Sequence, residues 1–228
     1  MDWELGMSDV HLPLVGGLDS GDSPAPAPLL QDSPAWRVVH ALCFLLGGTT
    51  FCAGTAVLYP APTPLLANLS AALYTLGSLG FLAVDVLEFF TFTSPCLLRS
   101  NIALSALGSA CYVAGSIGYF PALLAASPAL GVWGFLAGSA LIGLSQLFKL
   151  RRIASNAGEQ QVRGDAATAC GVEGGAAAGA WLFFAGTLLG LLSPSAQLAV
   201  LGLWMGGSVA FTVGGVSLAW RHFGLGLS

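Results

Sequence analysis

Three ionisable side chains, His40, Asp85 and Glu88, sit inside long apolar stretches of this sequence. Charge in such surroundings is costly, which makes each a functional candidate by default. Asp85 and Glu88 are three residues apart and so share one helix face. His40 lies about one helical turn inside its apolar run, and the two acids lie one to two turns from the end of theirs. In an antiparallel pair of helices these depths match, so His40 could approach one of the acids. A histidine beside a carboxylate suits a proton relay or a cation contact. The structural reading carries more weight. All three lie near span ends, where they can pair with Arg37, Arg99 or Lys149.

Other chemistry finds no support. The sequence contains no GxSxG, HExxH or P-loop lysine motif, and no GxGxxG in a strand–helix setting. No catalytic set converges, and neither an enzyme activity nor a cofactor nor a metal site is expected. The five cysteines, Cys43, Cys52, Cys96, Cys111 and Cys170, show no CxxC and no Cys/His ligand spacing. Their odd count and scatter argue against a disulfide framework and for small, buried apolar residues.

The elements that would position these groups follow from composition. Charged residues make up 8% of the 228 and hydrophobic residues 55%, too few charges to cover a water-soluble surface of that size. The mean hydropathy is +0.80. About 20 mainly apolar residues cross a bilayer core as a helix, and helices satisfy their own backbone where lipid cannot. Apolar runs at 36–59, 69–93, 101–121, 128–149, 176–193 and 196–220, broken by prolines and one polar stretch, predict an all-α, polytopic membrane protein. Its six transmembrane helices form three tandem hairpins, over 36–93, 99–150 and 176–222. Residues 1–35 read as an acidic, proline-rich, poorly ordered tail, and 151–175 as a polar cytoplasmic connection. The start, MDWELGMSDV, is acidic and has no apolar h-region, so no signal peptide is expected.

All seven basic residues, Arg37, Arg99, Lys149, Arg151, Arg152, Arg163 and Arg221, fall on one side of this six-span arrangement. Positive residues in short loops collect on the cytoplasmic side, so both termini are expected there, or on the matrix or stromal side in an organelle. Trp36, Tyr59, Tyr74, Tyr119 and Trp220 lie near span ends and suit interfacial belts. The sequon Asn68-Leu69-Ser70 abuts the second span and is expected to be unused. Arg151-Arg152-Ile153-Ala154-Ser155 reads as a stop-transfer flank that could touch anionic lipid. No basic cluster points to nucleic acid.

The spans also echo one another in pairs. The first helix of each pair carries glycines seven residues apart: Gly47 and Gly54, Gly108 and Gly115, Gly179 and Gly186. The second glycine stands in Ala-Gly-Thr or Ala-Gly-Ser, and a proline follows at 60, 121 or 194. The second helix carries Gly77-Ser78, Gly138-Ser139 or Gly207-Ser208, and Glu88 and Lys149 occupy equivalent positions in the first two copies, which makes an ion pair between these hairpins reasonable. Seven residues is near two turns, so each glycine pair forms a smooth stripe for close helix packing. Gly47 to Pro60 with Leu76-Gly77-Ser78-Leu79-Gly80-Phe81-Leu82 resembles the YrhK-like domain, a two-helix membrane module. Gly108 to Pro121 with Ala137-Gly138-Ser139, and Gly179 to Pro194 with Gly206-Gly207-Ser208, are weaker copies. The resemblance covers most of 36–222; the family has no established activity, so it implies an architecture and carries over no active site. The expected role is a membrane scaffold or accessory subunit that assembles with itself or other subunits through small-residue faces. The rival is a small transporter or channel whose cytoplasmic mouth is lined by His40, Asp85 and Glu88.

Overall fold

The computed structural model describes residues 33–59, 63–92, 96–155 and 165–226. The acidic tail up to residue 32, and Arg163 with the rest of 156–164, lie outside the described residues. Helices run over Pro34–Ala56 (α1), Pro64–Thr91 (α2), Cys96–Gly118 (α3), Pro121–Ala126 (α4), Pro128–Ser155 (α5), Asp165–Leu192 (α6) and Gln197–Ala219 (α7), and a π-helical turn follows at Trp220–Gly224. Six of the helices are long and apolar enough to cross a membrane, so the chain is an integral, multi-pass membrane protein. Prolines 34, 64, 121 and 128 open α1, α2, α4 and α5, where the missing N–H leaves no helical bond unmade. The Thr63 hydroxyl caps α2 by accepting from the Leu66 N–H at 3.3 Å.

The hairpins α1–α2, α3–α5 and α6–α7 each pack internally. α2 also packs on α3, α5 on α6, and α7 returns to α1. The six long helices therefore close into a ring. Each hairpin zips up by the same contacts, an aromatic or branched side chain of one helix seated on a glycine of the other. A Cβ at Gly47 would come to 2.5 Å from the Phe81 ring, one at Gly108 to 2.7 Å from Ile142, and one at Gly179 to 2.8 Å from Phe211. Gly77, Gly138 and Gly207 in turn receive Phe51, Tyr112 and Phe183, while Gly54, Gly115 and Gly186 receive Tyr74, Phe135 and Trp204. The nine glycines singled out by spacing are thus spent inside the chain's own hairpins. They do not form a surface for partners.

The residues seated on glycine meet at the centre of the ring. Phe51 lies within 6.5 Å, centroid to centroid, of Tyr74, Phe81, Tyr112, Phe135, Phe183 and Phe211, and it is 0% exposed. Hydroxyls join the helices at this level. Tyr74 Oη is 2.6 Å from Thr55 Oγ1, Tyr112 Oη is 2.8 Å from Ser139 Oγ, and Trp204 Nε1 donates to Thr187 Oγ1 at 3.2 Å. Two further contacts cross hairpin boundaries. Ser78 of the first Gly-Ser meets Ser116 of the second Ala-Gly-Ser at 3.0 Å, and Ser208 of the last Gly-Ser meets Thr55 of the first Ala-Gly-Thr at 3.4 Å. Ser78 and Ser208 also bond back to the carbonyls of Tyr74 and Trp204.

Several expectations change. α5 runs on to Ser155, so Arg151-Arg152-Ile153-Ala154-Ser155 is helical, and α6 begins at Asp165, well inside the expected polar connection. The turn after Pro121 is itself the short helix α4. Tyr74 is a core residue, because the helix face that carries Gly77 and Ser78 brings it inward. Trp36 is also buried, donating its Nε1–H to Thr91 Oγ1 at 3.0 Å, and Tyr119 packs on Phe135 and Trp204. Tyr59 and Trp220 are exposed, as a belt requires. Cys96 and Cys170 are exposed at the charged end, whereas Cys43, Cys52 and Cys111 are half-buried. Asn68 lies within α2 and donates to the Pro64 carbonyl, and Ser70 is buried against the Gly54 carbonyl.

Ring closure can be tested at Gly48, where a Cβ would come to 2.6 Å from the Thr212 backbone nitrogen. Gly48→Ala should cost about 1–3 kcal/mol, the usual range for overpacking, in thermal unfolding of the detergent-solubilised protein. Gly202→Ala, with nothing within 4 Å, should be neutral or slightly stabilising.

Candidate functional site

The ends of the helices that carry basic residues gather most of the ionisable side chains of the described spans. The first turns of α1 supply Trp36, Arg37 and His40, the last turns of α2 supply Asp85, Glu88 and Thr91, and α5 brings Lys149. Glu88 is shared. Its Oε2 accepts from Lys149 Nζ at 3.1 Å and its Oε1 lies 3.3 Å from His40 Nε2. Lys149 reaches on to Glu173 Oε1 of α6 at 3.6 Å. His40 Nδ1 lies 3.0 Å from His222 Nε2. An ionised Glu88 only accepts, so the His40 Nε2 atom carries a proton, and a neutral His40 must then accept from His222 at Nδ1. Trp36 stacks over His40 with centroids 4.4 Å apart.

The expected approach of His40 to an acid therefore holds for Glu88, and the Glu88–Lys149 pair follows from their equivalent places in the first two hairpins. Asp85 does not join them. Its Oδ2 accepts from Ser109 Oγ of α3 at 2.5 Å, and among the described residues no basic group lies within ion-pair distance. Arg37 reaches the Gly226 carbonyl at 3.1 Å, and the Arg99 guanidinium sits over the Phe89 ring at 4.7 Å. Asn101, at the position of His40 in the second hairpin, clamps α3 to α5. Its amide donates to the Ser145 carbonyl at 3.2 Å while Ser145 Oγ donates to the Asn101 carbonyl at 3.1 Å.

Two members, Glu173 and His222, were not expected here. Glu173 belonged to the presumed connection, yet the spacing of Ala169, Val172, Ala176, Ala177, Ala180 and Phe183 continues a helical face through it, and all six are buried. His222 depends on the π turn, where the Leu225 N–H bonds to the Trp220 carbonyl at 3.1 Å. The local widening carries the imidazole inward to 3% exposure, and no sequence signal announces it.

Chemically, this arrangement is a chain of shared hydrogen bonds and ion pairs, with each hairpin represented: His40 and Glu88 from the first, Lys149 from the second, Glu173 from the third. Among the described residues no group of three His, Cys, Asp or Glu side chains is placed to hold a metal ion. At the opposite end lies an apolar recess of about 360 Å³, walled by Tyr119, Thr187, Val200 and Trp204. It opens because Gly190 stands where the other hairpins have Leu58 and Tyr119.

Removing one partner of a fully buried ion pair leaves the other uncompensated and typically costs about 3–5 kcal/mol, an upper bound for these partly buried groups. Lys149→Met, which strands Glu88 and Glu173 together, should show a loss of that order in thermal unfolding. The triple change Glu88→Gln, Lys149→Met, Glu173→Gln should recover most of it. A comparison with protein-family models, curated proteins and solved structures finds no match for this chain.

Proposed function

We propose that this membrane protein is a scaffold or accessory subunit in which polar contacts between hairpins hold the three of them in one ring. The observation that carries this reading is where the buried polar groups find partners. The Ser78–Ser116 and Thr55–Ser208 contacts, and the network through Glu88, Lys149 and Glu173, all join different hairpins. Between the two ends the centre is filled by aromatic rings, where a channel would need a polar lining. We further infer that the hairpins are copies of one two-helix unit. The repeated glycine contacts and the resemblance to the YrhK-like domain support this.

With the striped glycines turned inward, contact with itself or with other membrane subunits falls to what the outside retains. Gly202 and Gly206 on α7 are four residues apart and little covered, which allows close approach of another helix. The second reading, a small transporter, draws on Asp85, the one buried acid among the described residues without a basic partner.

The two readings separate in liposomes. The purified chain should conduct no Na⁺, K⁺ or H⁺ above empty vesicles, and a flux that Asp85→Asn abolishes would overturn the scaffold reading. The charged end is proposed to face the cytoplasm, matrix or stroma. Native Cys96 and Cys170 should then react with an impermeant thiol reagent only after permeabilisation, and labelling in intact cells would reverse the orientation.

A further inference from the structure

A second polar feature lies on the axis of the ring, between the aromatic centre and the charged network. It is a small chamber of about 20 Å³ to which every one of the six long helices contributes. Phe81 and Phe211 are among its apolar walls. Its polar groups are Asp85 from α2, Ser105 and Ser109 from α3, and Gln146 from α5. The space exists because the hairpins differ here. Where the first has Phe44 the third has Ala176, and where the first two have Asp85 and Gln146 the third has Gly215.

Two independent observations point to a ligand. Gln146 is 5% exposed, and its Oε1 has no hydrogen-bond partner within the protein, so it is free to accept from a water or to meet an ion. Asp85 is 6% exposed, meets only the hydroxyls of Ser109 and Ser105, and has no basic group in ion-pair range. A carboxylate so placed must be neutralised by a proton or a cation. The donors facing the chamber are carboxylate, amide and hydroxyl oxygens, the set preferred by hard cations. One carboxylate balances one positive charge, whereas a divalent ion would leave a net charge buried. The volume suits one particle of about the size of a water molecule.

We propose that this chamber binds one dehydrated monovalent cation of sodium size, held by Asp85, the Gln146 carbonyl oxygen and the hydroxyls of Ser105 and Ser109. The ion ties α2 of the first hairpin to α3 and α5 of the second. It is separate from the His40–Glu88–Lys149 network, whose groups satisfy one another. The site needs no transport, so it stands or falls independently of the scaffold reading.

The test uses the full chain, purified in detergent in choline chloride and titrated with NaCl, KCl or choline chloride at constant ionic strength. Thermal unfolding and equilibrium binding of radioactive Na⁺ are both read. NaCl should raise the Tm saturably, with about one ion bound per chain, and K⁺ should compete poorly. Asp85→Asn should abolish binding. Gln146→Leu should weaken it by roughly tenfold or more, as expected for loss of one hydrogen-bonding group facing a charge. It also serves if Asp85→Asn fails to fold. Coincident NaCl and choline curves with no bound label, in folded wild-type protein, would mean that the chamber holds water only and would overturn the proposal. Binding that survives unchanged in Gln146→Leu and Asp85→Asn, or equal competition by K⁺, would overturn it as well.

Discussion

The seating of a large side chain on a bare glycine is the contact on which this molecule rests. In a bilayer the solvent is as apolar as the side chains, so burying them against one another gains little from water. Close dispersion contact must do more of the work, and it needs backbones near enough for rings to reach across. At Gly47, Gly108 and Gly179 a single added methyl group would collide with the facing residue. Because each hairpin meets that requirement in the same way, the rings come together in successive tiers, and the centre of the bundle becomes an aromatic cluster. The small polar groups follow from the same geometry. Ser78, Ser139 and Ser208 sit beside their glycines and are fully buried, so their hydroxyls must bond to a neighbouring carbonyl or to a hydroxyl of another helix.

Much of this was legible in the residues. Runs of apolar sequence broken at proline gave the six spans, and the spacing of Gly47 with Gly54, and of its counterparts, gave the packing faces. The Glu88–Lys149 pair followed from matching positions in the first two hairpins. What escaped was whatever depended on the partner of a face. Spacing shows that a glycine stripe will be covered, but not whether a neighbouring subunit or the chain's own next helix covers it. Tyr74 looked interfacial by its distance from a span end, although its helix face placed it in the core. Glu173 was hidden by the polar residues that precede it, and His222 by a π turn whose extra residue per turn leaves no mark in hydropathy.

Polarity within the spans is graded rather than scattered. Hydroxyls, which can bond back to their own helix, occupy the central level. Carboxylates, imidazoles and the Lys149 ammonium gather at one end, nearer to headgroups and water, where their burial costs less. Asp85 marks the step between the two regimes. It is deep enough to be sealed from solvent, yet only one turn from Glu88 and its partners. The unequal third hairpin, with Val172, Ala176 and Gly215 where the first has His40, Phe44 and Asp85, is what gives this one end of an otherwise regular ring its individuality.

The return of α7 to α1 has a consequence for biogenesis. The contacts that close the ring join residues far apart in the chain: Thr55 to Ser208 across 153 positions, Cys52 to Thr212 across 160 and His40 to His222 across 182. Synthesis proceeds from the N-terminus at about 5–20 residues per second, so the first hairpin waits some seconds in the bilayer before its last neighbour exists. During that interval Gly48 lacks its cover from Thr212, and the imidazole of His40 lacks its second histidine. The nascent protein is therefore an open arc, and a chain halted early presents to the membrane's quality-control proteases a polar, glycine-lined edge that the finished ring conceals.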